Sequence, residues 1–408
     1  MGWWPLRLPC SLVVTVVGIG ADGWDGLTPA ARAALTGAEV IVGAAEQLAA
    51  LPGLAARPVP WPGRTADALP AILADHTGSR VCVLADGDPM FLGVGPGLAR
   101  LLGPEQVRVI PAPSSVSLAC ARLGWPVEQV DVIDLADGPI DRLHADLAPG
   151  RRLVVLGGDE HSPNEVAMIL TTDGFGDSTV TVFERLGGPV ERRVGRSASR
   201  WMPGTFDRSN LVAVDCAADP AAVWHPRVAG LPGAAFGATD PLAGPEARAM
   251  AHAGLAPLPG QLLWDVGGHG GVAIEWMRHH PSCRAMVVVP EAERADAVRA
   301  DARALGVPAL EVVVGALPGV LGGLPEPHAV HVAVDPAELA AVLDLALPAL
   351  RTGGRLVVSS VDADLPTLAA RQAELGGTLT RFDVARVENA GENWTSATPV
   401  LQWAVRPR

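Results

Sequence analysis

The stretch that decides the fold lies near the N-terminus, where Val13 to Thr28 have the sequence VVTVVGIGADGWDGLT. Its unbroken run of apolar, β-branched residues is typical of a strand buried on both faces of a parallel sheet. The glycines that follow allow a sharp turn and a close approach of the backbone to a ligand. Thr28 and Pro29 are the residue types preferred at a helix N-cap and at the first helical position. We therefore predict a strand, a glycine loop and a helix that begins at this pair.

Strand-like and helix-like segments alternate along the whole chain, which indicates an α/β architecture with a largely parallel sheet. The length of 408 residues exceeds one ordinary core, so more than one domain is expected. A stretch from about Ala217 to Ala243 is rich in Pro, Gly and Ala without periodicity, which is typical of a linker. We predict a first domain over 11–218, a linker over 219–244 and a second domain over 245–408.

Composition excludes several classes of protein. The chain has no lysine and no tyrosine, which excludes a P-loop with its lysine and an enzyme that forms a Schiff base. A net charge of −13 and scattered arginines argue against nucleic-acid binding, and no apolar run is long enough to span a membrane. Widely spaced cysteines predict reduced, core-filling thiols in a cytoplasmic protein and no metal site. They are Cys10, Cys82, Cys120, Cys216 and Cys283.

The opening glycines also spell the dinucleotide fingerprint G-x-G-x-x-G, at Gly18, Gly20 and Gly23. In a dinucleotide fold the helix begins on the glycine loop, so that its N-terminus meets the pyrophosphate. Here the helix is predicted to begin only at Thr28, and the intervening loop carries carboxylates that would repel a pyrophosphate. The acidic residue expected after the second strand is also missing. We therefore reject a nicotinamide-cofactor site.

Three motifs follow one another in the first half of the chain: GIGADGWDGLTPAAR from Gly18, DGDPMFLGVG from Asp86 and PAPSSVSLACARLG from Pro111. In this order they resemble the tetrapyrrole methylases of cobalamin biosynthesis, in particular the precorrin-7 C5-methyltransferase branch, over about Val13 to Asp215. The part after the linker resembles the precorrin-6B C15-methyltransferase, a decarboxylating enzyme. The fused pair resembles the precorrin-6Y C5,15-methyltransferase family.

The resemblance implies a two-lobed tetrapyrrole methylase fold followed by a class I (Rossmann-like) methyltransferase fold. It also implies S-adenosylmethionine as methyl donor, a precorrin with many carboxylates as acceptor, no metal, and a homo-oligomer. The first domain would methylate C5, and the second would methylate C15 with loss of the ring-C acetate carboxylate.

Site residues follow from the matched motifs. Donor binding is assigned to the two segments after the third and fourth strands, namely Gly87, Asp88, Pro89 and Met90, and Ser114 and Ser115. Asp22 and Asp25 are assigned to the acceptor side, where either carboxylate would orient a ring N–H or take a proton. Simple turn chemistry at the aspartates and helix capping at the serines remain open. The sequence does not choose among the arginines that could bind acceptor carboxylates: Arg64, Arg122, Arg185, Arg192 and Arg193.

The second donor loop departs from its family pattern. Its predicted donor-binding residues are Asp265, Gly267, Gly268, Gly270 and Gly271, in a loop that is one residue short. The position expected to carry a carboxylate after the next strand is Val289, and Ala333-Val334-Asp335 stands where glycines usually follow the fourth strand. An alternative hypothesis is therefore that only the C5-methyltransferase half is active and the second domain is a degenerate scaffold or binding module.

Two further readings of the motifs remain. A binding or scaffold protein would have lost both donor sites, and would bind no donor in its first half. A uroporphyrinogen or other precorrin methylase would share the N-terminal motifs, but the fused second domain argues against it.

Overall fold

A computed structural model describes residues 13–61, 65–136, 138–237, 244–361, 364–388 and 393–407. The chain divides into two compact units. The first comprises residues 1–137 and 149–221, and the second comprises 138–148 and 222–408. Each unit has its own sheets and its own core.

The first unit begins with a five-stranded sheet of order β3-β2-β4-β1-β5, in which all neighbouring strands are parallel. Its strands are β1 (Val14–Ile19), β2 (Val40–Gly43), β3 (Arg57–Pro60), β4 (Val81–Asp86) and β5 (Val107–Ile110). Its helices are α1 (Pro29–Thr36), α2 (Ala45–Ala49), α3 (Thr65–Asp75), α4 (Gly95–Leu102) and α5 (Ser115–Leu123). The predicted opening strand, glycine loop and helix are confirmed.

Strand β1 is central because both of its faces are covered. Val14 and Val16 belong to one buried cluster, whereas Val17 and Ile19 belong to the cluster on the other side of the sheet. Full burial of one such side chain contributes about 1.5–3 kcal/mol. At the following helix, the Thr28 hydroxyl accepts a hydrogen bond from the Ala31 N–H at 3.2 Å, as the capping pattern predicts.

The second sheet of this unit has the order β6-β7-β10-β8-β9. It consists of β6 (Val130–Asp134), β7 (Arg152–Leu156), β8 (Thr179–Glu184), β9 (Arg192–Ser197) and β10 (Asn210–Asp215), with helix α6 (Ser162–Thr172) between β7 and β8. Only β6 and β7 pair in parallel, and the other neighbours are antiparallel. The parallel pattern predicted from the alternation of elements therefore holds for the first sheet and not for the second.

The second unit is built on a seven-stranded sheet of order β13-β12-β11-β14-β15-β19-β16, in which β19 pairs antiparallel with both neighbours. The strands are β11 (Leu262–Val266), β12 (Arg284–Val289), β13 (Glu311–Val314), β14 (Ala329–Val332), β15 (Arg355–Ser360), β16 (Thr378–Phe382) and β19 (Val400–Val405). A separate pair is β17 (Ala385–Glu388) with β18 (Asn393–Ser396). The helices are α7 (Pro245–Leu255), α8 (Gly271–His279), α9 (Ala292–Ala304), α10 (Pro336–Ala349) and α11 (Leu365–Leu375).

Two segments that precede Pro245 in the chain belong to the second unit. Leu231 and Phe236 are buried in its core, although they lie in the range predicted as linker. The segment 138–148 lies between β6 and β7 in sequence, and its Asp146 carboxylate pairs with Arg227 at 2.5 Å. The predicted domain boundaries stay a prediction, and 238–243 of the linker lie outside the described residues.

The cysteines fill the core, as predicted. Cys82, Cys120, Cys216 and Cys283 are buried and form no disulfide, whereas Cys10 lies outside the described residues. Burial raises the pKa of the Cys82 thiol to about 11. In the described ranges, no three His, Cys, Asp or Glu side chains are grouped as metal ligands would be. None of the helices placed by the structure has both the length and the apolar character needed to cross a bilayer.

Candidate functional site

A cavity of about 550 Å³ opens in the first unit, between the carboxyl ends of the first sheet and the second sheet. This volume falls in the range of small-molecule sites. The first sheet and its helices contribute Ile19, Gly20, Ala21, Glu46, Asp86, Gly87, Asp88, Ser114 and Ser115 to its lining. The second sheet contributes Asp134, Gly157, Phe183, Arg185, Ser209 and Asn210. Ligands bind at this edge of open parallel sheets, because the loops that follow the strands converge there.

At the carboxyl ends of β1 and β4, the backbone is packed too closely to leave room for a side chain at two glycines. A Cβ at Gly18 would overlap the Gly87 carbonyl oxygen and lie 2.6 Å from the Ala112 nitrogen. Gly87 has φ +56°, and a Cβ there would lie 3.0 Å from the Pro113 carbonyl oxygen. Both positions therefore require glycine, which brings the three loops after β1, β4 and β5 into direct contact.

Ser114 and Ser115 place the start of α5 at the cavity. The Ser114 hydroxyl accepts a hydrogen bond from the Ser117 N–H at 3.1 Å, so Ser114 is the N-cap. Ser115 is the first helical residue, and both serines line the cavity. The first N–H groups of a helix lack partners within the helix and carry a partial positive charge, so this end suits a carboxylate.

The structure gives the four residues of the GDPM segment, Gly87 to Met90, different positions. Gly87 and Asp88 line the cavity, and the Asp88 Oδ1 accepts a hydrogen bond from the Met90 N–H at 2.9 Å. Pro89 is buried, and its carbonyl accepts from the Gly95 N–H at 2.9 Å. Met90 is 48% exposed. Neither Pro89 nor Met90 is among the lining residues, so both shape the loop rather than face the cavity.

Asp22 and Asp25 lie in the loop after β1 but are not among the residues that line the cavity. The Asp22 carboxylate folds back over its own turn, so that a Cβ at Gly20 would lie 2.6 Å from Oδ1 and a Cβ at Gly26 would overlap the carboxylate. The Asp25 side chain is exposed, whereas its carbonyl accepts a hydrogen bond from Arg32 at 2.8 Å. Both aspartates are exposed, and the Asp22 carboxylate has the position of a turn residue.

The cavity is more acidic than basic. Glu46, Asp86, Asp88 and Asp134 line it, and Arg185 is the one lysine or arginine among the lining residues that the structure describes. Besides Asp88, two of the carboxylates are oriented by neighbours: Asp86 accepts from the Gln47 amide at 2.7 Å, and Asp134 accepts from the Ala136 N–H at 2.9 Å. Such a site favours a ligand that carries positive charge, because several carboxylates face a limited volume.

Arg185 is held in a strained conformation. Its φ is +50°, in the left-handed region that non-glycine residues rarely adopt, and the same holds for Leu92 at φ +52° on the cavity rim. The Arg185 Nε donates to Asp207 Oδ2 at 2.6 Å. A backbone hydrogen bond from Ser209 and then this guanidinium hold the pKa of Asp207 below its usual value. The pair fixes a cation at the mouth of the cavity.

The donor loop predicted in the second unit is closely packed. A Cβ at Gly267 would overlap the Val334 side chain, and one at Gly270 would lie 2.7 Å from Val298 Cγ1. A Cβ at Gly268 would lie 2.6 Å from Asp265 Oδ1, and Gly271 begins α8. The described structure thus places all the predicted residues together, at the carboxyl end of β11.

Helices α7 and α8 of this unit carry a cluster of buried charged and polar side chains. The Glu275 carboxylate accepts hydrogen bonds from the Gly230 N–H at 3.0 Å, the Leu231 N–H at 2.8 Å and Arg248 Nε at 3.1 Å. Burial lowers the pKa of His252 to about 3, so this histidine is neutral although its Nε2 lies 3.6 Å from Glu275. Arg248 therefore supplies the compensating charge.

Two family models match the chain. The one described as tetrapyrrole (corrin/porphyrin) methylases covers residues 13–199, and the one described as the precorrin methyltransferase domain covers 234–407. A precorrin-6Y C(5,15)-methyltransferase (decarboxylating) from Sinorhizobium sp is 39% identical over 396 residues, which cover 96% of this chain and 95% of that protein. The chain belongs to the precorrin-6Y C(5,15)-methyltransferase family.

Other relatives agree with this membership. A precorrin-6Y C(5,15)-methyltransferase (decarboxylating) from Mycobacterium tuberculosis is 37% identical over 407 residues, which cover 97% of this chain and 100% of that protein. A cobalt-precorrin-7 C(5)-methyltransferase from Salmonella typhimurium is 31% identical over 197 residues, which cover 47% of this chain and 90% of that protein. The resemblance inferred from the three N-terminal motifs is thereby confirmed.

Sequence patterns did not predict several of the residues that line the cavity in this member of the precorrin-6Y C(5,15)-methyltransferase family. Asp134 ends β6, Gly157 follows β7, and Asn210 begins β10. A polar residue or glycine at the carboxyl end of a parallel strand was a usable signal for the first two. Asn210 had no local signal, because only the pairing of β10 with β8 brings it to the cavity.

Proposed function

We propose that the cavity of the first unit binds S-adenosylmethionine and directs its methyl group to C5 of a precorrin. One observation supports this proposal: a single cavity is lined by the loops after β1 and β4, by the start of α5 and by Arg185. In the same proposal, 11–218 form the C5-methyltransferase domain, 219–244 the linker, and 245–408 the domain to which the family's C15 methylation and decarboxylation correspond.

The residues present fit the donor. S-adenosylmethionine, when bound, supplies a methyl group on a positively charged sulfur. Its carboxylate matches the N-terminus of α5, where Ser114 and Ser115 line the cavity. Its ammonium and sulfonium charges match the carboxylates that line the same cavity, Asp88 among them. Gly87 lets the backbone approach the ligand, while Pro89 and Met90 fix the shape of the loop.

The mouth of the cavity suits a large acceptor with apolar faces and acidic edges. Phe91, Leu92 and Val190 line it and are 40%, 58% and 62% exposed, respectively, which is unusual for large apolar side chains grouped together. Arg185 provides a guanidinium for a carboxylate, in the planar geometry that such pairs prefer. Positioning donor and acceptor in line accounts for methyl transfer without a protein nucleophile.

Arg185→Leu tests the acceptor contact. We expect the KM for the precorrin to rise by about ten- to a hundredfold, because a hydrogen bond to a charged group contributes about 1.5–3 kcal/mol. Donor affinity should stay unchanged. The matched control is Arg208→Leu, since Arg208 pairs with Glu160 at 3.0 Å and does not line the cavity. Equal KM values for both variants in steady-state assays would contradict the role of Arg185.

The reaction itself is tested by incubating the purified full chain with precorrin-6Y and methyl-labelled S-adenosylmethionine. Mass spectrometry of the product then counts methyl groups and detects loss of carbon dioxide, and NMR locates the methyl carbon. We expect label at C5. A product without label would overturn the proposal, and label at other ring positions only would favour a different precorrin methylase.

The same assay addresses the loop aspartates. We propose that Asp25 is the acceptor-side carboxylate, because the carboxylate of Asp22, although also exposed, lies over Gly20 and Gly26 of its own turn. Loss of C5 methylation in Asp25→Asn with donor binding retained would support this role, and an unchanged rate would contradict it.

A homo-oligomer and a cytoplasmic location stay proposals. Light scattering of the purified chain can test the first of them.

A further inference from the structure

The carboxyl edge of the second unit's sheet is the place where a class I methyltransferase fold holds its donor, because the loops after the parallel strands open there. In this chain β11, β12 and β14 are neighbours and end at that edge. The residues at these three strand ends therefore decide whether S-adenosylmethionine fits.

Side chains of the protein pack closely against the loop after β11. The Val334 side chain is only 9% exposed, and its Cγ1 lies 2.4 Å from the point where a Cβ of Gly267 would sit. The Ala333 carbonyl oxygen lies 2.7 Å from that same point. On the other side Gly270 packs against Val298 of α9. The glycines of this loop thus make room for protein side chains, whereas Gly87 of the first unit packs against backbone and also lines the cavity.

The Asp265 carboxylate, near the end of β11, is engaged inside the protein. Asp265 is 1% exposed, its Oδ1 lies 2.8 Å from His331 Nδ1, and its Oδ2 accepts from the Ala273 N–H at 3.3 Å. His331 Nε2 in turn lies 3.0 Å from the Ser359 hydroxyl. Each member of this row is buried and bonded to the next, so the row stabilises the sheet rather than presenting groups to a ligand.

The last residue of β12 carries no carboxylate for a ribose. A carboxylate at this position normally binds ribose hydroxyls in nucleotide-binding α/β folds. Here β12 ends in Val289, which is buried, and Pro290 follows. The nearest carboxylates at this edge are exposed: Glu291 lies 3.6 Å from Arg294 on the first turn of α9, and Asp335 precedes α10.

We infer that the second unit of this chain does not bind S-adenosylmethionine, so that all donor binding by the protein occurs in the first unit. The residues of the second unit do not fit the donor that its fold family implies. The inference rests on the proposed function only for the site in the first unit. The second unit is therefore a folded domain that lacks its own methyl donor.

Equilibrium dialysis of the full-length chain against radiolabelled S-adenosylmethionine tests this inference without requiring activity. We expect one donor per chain at saturation. Ser115→Asp, in the first unit, should remove this binding, because it places a negative charge at the site for the donor's carboxylate. The double variant Glu291→Ala/Asp335→Ala, in the second unit, removes the two exposed carboxylates and should bind one donor with unchanged affinity.

The outcomes separate the two proposals. Two donors per chain, or weaker binding in Glu291→Ala/Asp335→Ala, would overturn the inference and leave the proposed function of the first unit intact. No binding by the unmodified chain would overturn the proposed function of the first unit, while agreeing with a second unit that binds no donor. Binding that survives Ser115→Asp but is lost in the double variant would overturn both.

Discussion

Ser115→Asp weakens binding of S-adenosylmethionine by about a hundredfold without destabilising the protein. Ser115 is the first helical residue of α5 and lines the cavity. A negative charge there would face the donor's carboxylate, and two like charges about 4–6 Å apart repel by roughly 3–4 kcal/mol at an effective dielectric constant of 20. Isothermal titration calorimetry measures the affinity. Thermal unfolding should show an equal or higher Tm, since aspartate is favourable in the first turn of a helix.

The matched control is Ser117→Asp, on the same turn of the same helix. Ser117 is exposed and is not among the cavity-lining residues, although its N–H donates to the Ser114 hydroxyl. The added charge is the same, but it does not face the cavity, so we expect a change in affinity of less than about tenfold. Similar affinities for the two aspartate variants would show that α5 does not face the donor's carboxylate.

Glu275→Ala destabilises the second unit by about 3–5 kcal/mol. Glu275 and Arg248 have side chains that are each 1% exposed, and removal of one partner leaves the other charge buried without compensation. The backbone N–H groups of Gly230 and Leu231 lose their acceptor as well. Hydrogen exchange in urea, followed by mass spectrometry of peptides from β11 and β12, measures the local free energy of unfolding.

The comparison for this second prediction is Glu246→Ala on α7. Glu246 forms an ion pair with Arg386 at 2.5 Å, but these side chains are 48% and 49% exposed. Exposed pairs contribute about 0–1 kcal/mol, so this substitution should change the unfolding free energy by less than 1 kcal/mol. Equal losses of unfolding free energy in the two variants would show that the buried pair stabilises the second unit no more than the exposed pair does.

The fold was largely accessible from the sequence where local patterns determine it. The opening strand and the helix cap at Thr28 are confirmed. The edge strands β3 and β9 lack such a local pattern: β3 contains two prolines, and β9 is rich in exposed arginines. Edge strands need no continuous apolar pattern and often carry such residues, so a search for buried strands does not find them.

The candidate site was only partly accessible. Gly87 and Ser114 belong to motifs that are contiguous in the sequence, and they were predicted as donor residues on that basis. Arg185 could not be chosen over the other arginines, because its place at the cavity depends on how β8 and β10 pair and on an unusual backbone conformation. In the second unit the sequence indicated that glycines were missing after β14. Only the structure shows that the Val334 side chain occupies the space against Gly267.

The segments that cross from the first part of the sequence into the second unit have a practical consequence. A fragment that begins at Pro245 lacks Leu231 and Phe236, which are buried in the core of that unit, and it lacks the Arg227–Asp146 ion pair. It also lacks Ala145, whose backbone fits against Gly306 so closely that a Cβ at Gly306 would overlap it. Expressed alone, this fragment would expose an apolar groove and aggregate. The second unit of this chain therefore cannot be separated by cutting the sequence at Pro245. The roles of the two units are better tested by point substitutions in the intact polypeptide.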